Sequence, residues 1–221
     1  MPMNEITAYI TREINALSVT DTVEKAQDIF LNLPFSHFPV LEDGVYIGCT
    51  NAEDADLQDP DRKIGEFRFN FDRFFVRNKM SWLDVLEVFA KNETNLVPVL
   101  DEKNNYMGYY EMEDVIRFFH ETPFLREDGG ILVVEKGIRD YSMGEIAQIV
   151  ESNNAKLLGA FISYSDLNKV QITLKMSLGG MNEIIQSFRR YNYEIISEHQ
   201  EDAYINNLKD RSDYLDKYLN I

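Results

Sequence analysis

The sequence predicts an α+β fold in two parts, on three observations. The stretch Asn95 to Phe119 has the grammar strand, turn, strand, helix, and His37 to Leu57 repeats it. Pro39 falls on Pro98, Gly48 on Gly108 and Asp54 on Asp114, with one extra residue absorbed between the Pro and Gly pairs, in the hairpin turn. Acids and paired glycines then interrupt the pattern at Phe124 to Gly130, and from Ile131 a new order begins: strand, helix, strand, strand, helix, strand.

Each element has its own signal. Ile6, Tyr9, Ile10, Ile14 and Leu17 recur at helical spacing, which predicts a leading helix over residues 4–16. Val23, Ala26, Ile29 and Phe30 mark the first repeat's helix, with Asp21 or Thr22 as its cap and Pro34 as its end. The hairpin comes next, with Phe38 to Leu41 and Val45 to Thr50 flanking Glu42-Asp43-Gly44. A helix opens near Asn51 and stops before Pro60, and residues 59–70 link the repeats. Phe74 to Arg77 corresponds to the lead-in of the first repeat. Trp82, Val85, Leu86 and Phe89 mark the second repeat's helix, and the unit closes near His120. The resulting division is 1–72 and 73–122 for the repeats, 123–130 for a linker, 131–198 for the second domain and 199–221 for a helical tail.

The second domain reads as Ile131 to Glu135 (strand), a helix marked by Ile146, Ile149 and Val150 with Ser142 as cap, and strands Leu157 to Tyr164 and Val170 to Met176. A helix marked by Ile184, Ile185 and Phe188 and a strand Tyr193 to Ile196 complete it. That order is the ferredoxin-like split unit. In the tail, Ile205, Leu208, Leu215 and Leu219 fit heptad spacing, interrupted by Ser212 and flanked by Tyr204, Tyr214 and Tyr218. Such a stripe must dock, on its own domain or on a partner helix.

Composition narrows the function. The net charge is −16, and residues 1–122 hold 11 Lys and Arg against 23 Asp and Glu. That field repels a nucleic-acid backbone. No apolar run is long enough to span a membrane, no secretory signal opens the chain, and the one cysteine, Cys49, sits in an apolar strand as a buried thiol. The expectation is a cytoplasmic protein. His37, His120 and His199 lack ligand spacing, and no phosphate-binding glycine loop or serine elbow occurs, so neither a metal site, a cofactor nor an enzymatic activity is expected.

Helix, strand, strand, helix, with Pro-Val before the turn and Gly-x-x-x-x-x-Asp after it, resembles a CBS domain. Two copies over residues 1–122 resemble the tandem pair called a Bateman module. The resemblance implies two sheets packed about a pseudo-two-fold axis, with clefts between the repeats that commonly take adenosine nucleotides. The family motif there is Gly, two apolar residues, Thr or Ser, two variable residues, then Asp. Here Gly48 and Asp54 match with Asn51 in the hydroxyl place; Gly108 and Asp114 match with Glu111 there. Asn51 can donate to a ligand, and it can equally cap a helix with Asp54 in the capping-box position. Glu111, Glu113 and Asp114 put negative charge where a helix N-terminus would hold phosphate. Thr20, Arg77 and Lys79 lie in the segments that border the clefts in the family. Arg77 and Lys79 either supply the counter-charge or stand as solvated edge residues.

A ferredoxin-like unit behind such a pair resembles an ACT domain, although the loop Lys136 to Ser142 lacks that family's Asp-x-Pro-Gly turn. The whole order is similar to bacterial acetoin-utilisation regulatory proteins. The implied function is a non-enzymatic sensor that binds an adenosine nucleotide or adenosyl compound, works as a homodimer and answers to a regulated protein not named by the sequence. The alternative is a ligand-free dimeric scaffold with degenerate clefts. Repulsion of phosphate by Glu111 makes the Asp54 cleft the one expected to bind more tightly.

Overall fold

The computed structural model describes residues 6–177 and 179–197, and the chain divides into two compact units, Met1–Glu121 and Thr122–Ile221. In the first unit each repeat builds one three-stranded sheet. β1 (Leu17–Ser18) runs parallel to β2 (His37–Glu42), which pairs antiparallel with β3 (Val45–Asn51). In the second repeat β4 (Val76–Arg77), β5 (Leu96–Leu100) and β6 (Tyr106–Glu111) repeat the arrangement. Both hairpins shift register at the same place, between Val40 and Leu41 and between Val99 and Leu100. Helices α1 (Val23–Asn32) and α2 (Ala52–Asp56) flank the first sheet in sequence; α3 (Trp82–Lys91) and α4 (Met112–His120) flank the second.

The two repeats interlock. Ser36 N–H donates to Asn95 Oδ1 at 2.9 Å, and Asn95 N–H donates back to Ser36 Oγ at 3.2 Å, equivalent positions exchanging bonds. Cys49 of the first repeat is fully buried in the core around Phe89 and Val97, while Tyr109 of the second is buried in the core around Phe38 and Val40.

Gly48 and Gly108 have a shared structural reason. Both hold positive φ, +149° and +131°, in the middle of a strand. A Cβ at Gly48 would meet Phe71 Cβ at 2.7 Å, and one at Gly108 would strike the Thr11 carbonyl. At both places a second segment lies close along the strand: Asp72 exchanges backbone hydrogen bonds with Cys49 at 2.8 and 2.9 Å, and Thr11 with Tyr109 at 3.0 Å each way. This pairing corrects the leading helix expected over residues 4–16. Only Ile6–Tyr9 forms a 3-10 turn, after which the chain extends to pair with Tyr109. The apolar spacing of Ile6 and Ile10 is spent against the second repeat rather than on a helix face.

The inter-repeat linker is built in as well. Its residues 64–70 form a 3-10 helix, and its carbonyls serve α1, whose cap residue Thr22 makes no side-chain bond. Val23 N–H donates to Arg62 O and Glu24 N–H to Pro60 O, at 2.9 and 3.0 Å. Ile64 and Gly65 donate in turn to Asp21 O and Val19 O. By contrast α3 carries its own capping box, Ser81 with Asp84.

In the second unit β7 (Gly129–Gly137), β8 (Leu157–Ser165), β9 (Lys169–Ser177) and β10 (Glu194–Ile195) form one antiparallel sheet in the order β10-β7-β9-β8. The segment 123–130 is not an open linker. It holds α5 (Pro123–Arg126), and β7 begins at Gly129, where Gly129 and Gly130 pair with Ser177 and Met176. Gly129 marks a close approach to the Met176 carbonyl, which no side chain would allow. α6 (Met143–Ser152) and α7 (Met181–Arg190) bring Ile146, Ile149, Ile184 and Phe188 into one core with Leu132, Ile172 and Leu174. This is the ferredoxin-like order, and Ser142 caps α6 by accepting from Glu145 N–H at 3.3 Å. The expected last strand, Tyr193 to Ile196, is shorter, and the tail 199–221 lies outside the described residues.

Candidate ligand-binding clefts

The repeat symmetry places two equivalent clefts in the first unit, and they differ in what fills them. At the first, Asn51 is the N-cap of α2. Its Oδ1 accepts from Asp54 N–H at 2.7 Å, and its Nδ2 donates to Asp72 Oδ2 at 3.1 Å. His37 Nε2 lies 3.4 Å from the same Asp72 oxygen, and burial holds His37 below its usual pKa while Asp72 pulls the other way. Both ends of the Asn51 amide are therefore engaged within the fold. Thr20 is exposed, with its hydroxyl 2.9 Å from Ser18 Oγ. The cavity beside Asp54 measures only about 20 Å³, and Thr50, Gln58, Ile64, Phe67 and Phe71 are among the residues that line it. That is room for about one water.

The equivalent cleft in the second repeat is open. A cavity of about 560 Å³ is lined by Asn78, Lys79, Met80, Ser81 and Trp82 before and at the start of α3, by Phe118 of α4 and by Ile6 and Thr7. Small-molecule sites commonly span about 300–1,000 Å³. Repeat alignment explains the difference residue by residue. Lys79 stands where Thr20 does, Trp82 where Val23 does and Phe118 where Gln58 does, while Ile6 takes the place of Phe67. Trp82 stacks on Phe119 with ring centroids 4.7 Å apart and tilts toward Phe118 at 6.2 Å, so the aromatic wall is fixed. Lys79 is the cation of this lining; its ammonium is 3.6 Å from Glu102 and largely solvated.

The sequence-predicted residues are thus separated. Asp54 lines the small cavity and Lys79 the large one. Glu111 is the N-cap of α4 but makes no side-chain cap bond. Burial first, then Asp114, Glu13 and Glu113, push its carboxyl above the usual carboxylate range. Asp114 pairs with Arg117 at 3.2 Å. Neither Glu111 nor Asp114 lines the 560 Å³ cavity. Arg77 turns to the β5–β6 turn, donating to Asp101 O and to Asn104 Oδ1 with its guanidinium 5.1 Å from the Phe75 ring. It brings no counter-charge to Asp114. The two clefts differ in cavity volume, about 20 Å³ against about 560 Å³, and residues 64–71 line the smaller one. Trp82, Met80 and Phe118 line the larger cavity and were not among the candidate residues; the signal was an aromatic or long apolar side chain at a position where the other repeat carries a smaller or polar one.

Other reactive groups are quenched. Cys49 is buried with its thiol pushed up to about 12, and Tyr46 OH lies 3.4 Å away while donating to Phe74 O at 2.6 Å. Among the described residues no group of three or more His, Cys, Asp and Glu could hold a metal ion, and no helix is long and apolar enough to cross a membrane.

Comparison with known proteins finds a family match in the first unit. The CBS-domain family model matches residues 5–54 and 70–121. An uncharacterized protein of Methanocaldococcus jannaschii, MJ0188, is 25% identical over 114 residues, which are 51% of this chain and 43% of that one. The chain therefore matches less than half the length of that curated relative. A CBS domain pair/ACT domain protein of Thermotoga maritima superposes with a TM-score of 0.48 at 19% identity, over 53% of this chain and 98% of that chain. CBSX2, solved in complex with AMP, gives a TM-score of 0.43 at 15% identity, over 51% and 93%.

Proposed function

We propose that the protein, whose residues 5–54 and 70–121 match the CBS-domain family model, is a non-enzymatic regulatory sensor whose adenosine-type ligand sits in the cleft of the second repeat. The observation that carries this reading is the 560 Å³ cavity walled by Trp82 and Phe118, set against 20 Å³ at the equivalent place. A flat base fits against an aromatic wall, and Lys79 at the same lining attracts an anionic group. CBS pairs as a family take adenosine nucleotides in such clefts, which names the ligand class. Because Glu111 and Asp114 lie outside the lining, phosphate need not face them. A ligand there touches the leading segment at Ile6 and Thr7, the start of α3 and the end of α4 at once, and so favours the state in which these are drawn together. The protein acts as a cytoplasmic homodimer in this reading, with the second unit as an ACT-like packing or dimerisation domain and a separate protein receiving the signal. The competing reading, a ligand-free scaffold, draws on the fully engaged Asn51 and the filled first cleft.

Calorimetry with AMP, ATP, adenosine and adenosylmethionine tests both. Saturating ligand at about 100 times its dissociation constant should raise stability by about 2.7 kcal/mol. Lys79→Glu should weaken a phosphorylated ligand about tenfold, Trp82→Ala should weaken every adenosyl ligand, and Asp54→Ala should leave binding unchanged. Loss of binding in Asp54→Ala with none in Trp82→Ala would place the ligand in the other cleft. No heat with any of the four ligands would leave the scaffold.

A further inference from the structure

The lining of the large cavity in the second repeat holds one polar group that the fold itself does not use. Asn78 follows β4, and its N–H donates to Leu100 O at 3.1 Å. Val19 makes the same bond to Leu41 O at 3.1 Å in the first repeat, so the two residues hold equivalent places. Val19 is apolar and packs on the core around Phe38 and Val40. The linker lies directly on it: Gly65 N–H donates to Val19 O at 2.9 Å, and a Cβ at Gly65 would stand 2.9 Å from Val19 Cβ. Asn78 brings an amide to this place instead, and it lines the cavity of about 560 Å³. Its Oδ1 is buried and, among the described residues, meets no hydrogen-bond donor. A buried acceptor without a donor destabilises a fold, and a valine of similar shape would not. Two polar neighbours in the lining are engaged. Ser81 Oγ donates to Asp84 Oδ2 at 2.9 Å, and the Lys79 ammonium lies 3.6 Å from Glu102.

On the reading that the ligand occupies the second cleft, we propose that the Asn78 amide reads the edge of the bound base, so that the cleft takes a 6-aminopurine in preference to the same purine without its amino group. An amide offers an acceptor and a donor side by side. The edge of adenine is its complement, because the 6-amino group donates and the adjacent ring nitrogen accepts. Rotation about χ2 lets the Asn78 amide turn its carbonyl to the cavity. The ligand's amino group then supplies the donor that Oδ1 lacks. The rest of the lining does not choose among bases. Stacking on Trp82 accepts any base, and Lys79 attracts only an anionic group. Selection therefore falls to Asn78.

Calorimetry on the full chain with AMP and with purine riboside 5′-monophosphate, which is AMP without the amino group, provides the test. Wild type should bind AMP at least about tenfold more tightly than the analogue. Asn78→Val, carrying the side chain that the first repeat uses at this place, should bind the two almost equally and hold the analogue as wild type does. Its melting temperature should equal or exceed that of wild type, because an unmet acceptor is gone. No preference for AMP in wild type, or the same preference in Asn78→Val, would overturn the role of Asn78 and leave the cleft reading intact. A clear loss of stability in Asn78→Val would show that the fold does use the amide, and would overturn that role too. No binding of either nucleotide, or binding of both that is undiminished in Trp82→Ala, would overturn the cleft reading itself and the role of Asn78 with it.

Discussion

The two clefts of the first unit share a motif skeleton and differ in accessible space. Gly48 and Gly108 sit at the same register shift, Asp54 and Asp114 at the same turn of helix, yet one cleft holds 20 Å³ and the other 560 Å³. The difference lies outside the motif. Linker residues 64–71 close the first cleft, and the leading segment leaves the second open beside Ile6 and Thr7. The shared residues serve the fold: the glycines admit a crossing segment, and Asn51 with Asp54 closes a helix end. A matched motif thus shows where two segments meet, while the side chains that cross it decide whether a ligand fits.

Substitution at the glycines should show the largest effect and tests whether the crossing segments are equivalent. Gly108→Ala sets a Cβ against the Thr11 carbonyl at a φ of +131°, and should cost about 3 kcal/mol or more in urea unfolding. Gly48→Ala meets mainly the Phe71 side chain and should cost less. Equal losses would mean that both crossings are backbone-limited.

Next comes the plug. Phe71 is 7% exposed, and Phe71→Ala should cost about 3 kcal/mol while enlarging the first cleft. If the linker alone distinguishes the clefts, this variant should gain a second ligand site in calorimetry. Unchanged stoichiometry would show that the engaged Asn51 also excludes ligand.

Smaller effects separate the two helix ends. Asn51→Ala removes a working cap and should cost about 1 kcal/mol. Glu111→Gln removes a carboxyl that caps nothing and is crowded by Asp114, Glu13 and Glu113, so it should stabilise by about 0.5 kcal/mol at neutral pH. The sign with pH comes from the raised pKa. An acid whose folded pKa lies above its unfolded one gives stability that is full below the unfolded pKa and lost as pH rises through the folded value. Wild type should therefore lose stability, relative to Glu111→Gln, on going from acid to neutral pH. A flat difference between the two would remove Glu111 as the crowded group.

Much of the fold was legible in the sequence. The Pro39/Pro98, Gly48/Gly108 and Asp54/Asp114 pairs were legible because they recur at one spacing, and the hairpins lie around them as expected. The expectations that failed depended on distant partners. Ile6, Tyr9 and Ile10 have helical spacing, but Thr11 finds the edge of β6, and periodicity cannot see a partner that far along the chain. Phe67 lay in the stretch 59–70 that was read as a linker, and Phe71 follows it directly, so their place in the cleft was hidden. Gly129 and Gly130 read as a linker for a related reason; at Gly129 the strand must pass close to the Met176 backbone, and glycine serves that need as well as it serves a linker.

Cys49 turns the crossing segment into a clock. Its sulfur is fully buried and its thiol is pushed up to about 12, so neither exposure nor ionisation favours reaction in the closed state. Its backbone N–H and carbonyl are both bonded to Asp72. A thiol reagent must therefore wait for that seam to part, and its rate measures opening rather than intrinsic nucleophilicity. With a single thiol in the chain, the colour change on labelling would time the separation of linker from strand directly, in the unmodified protein and with or without ligand.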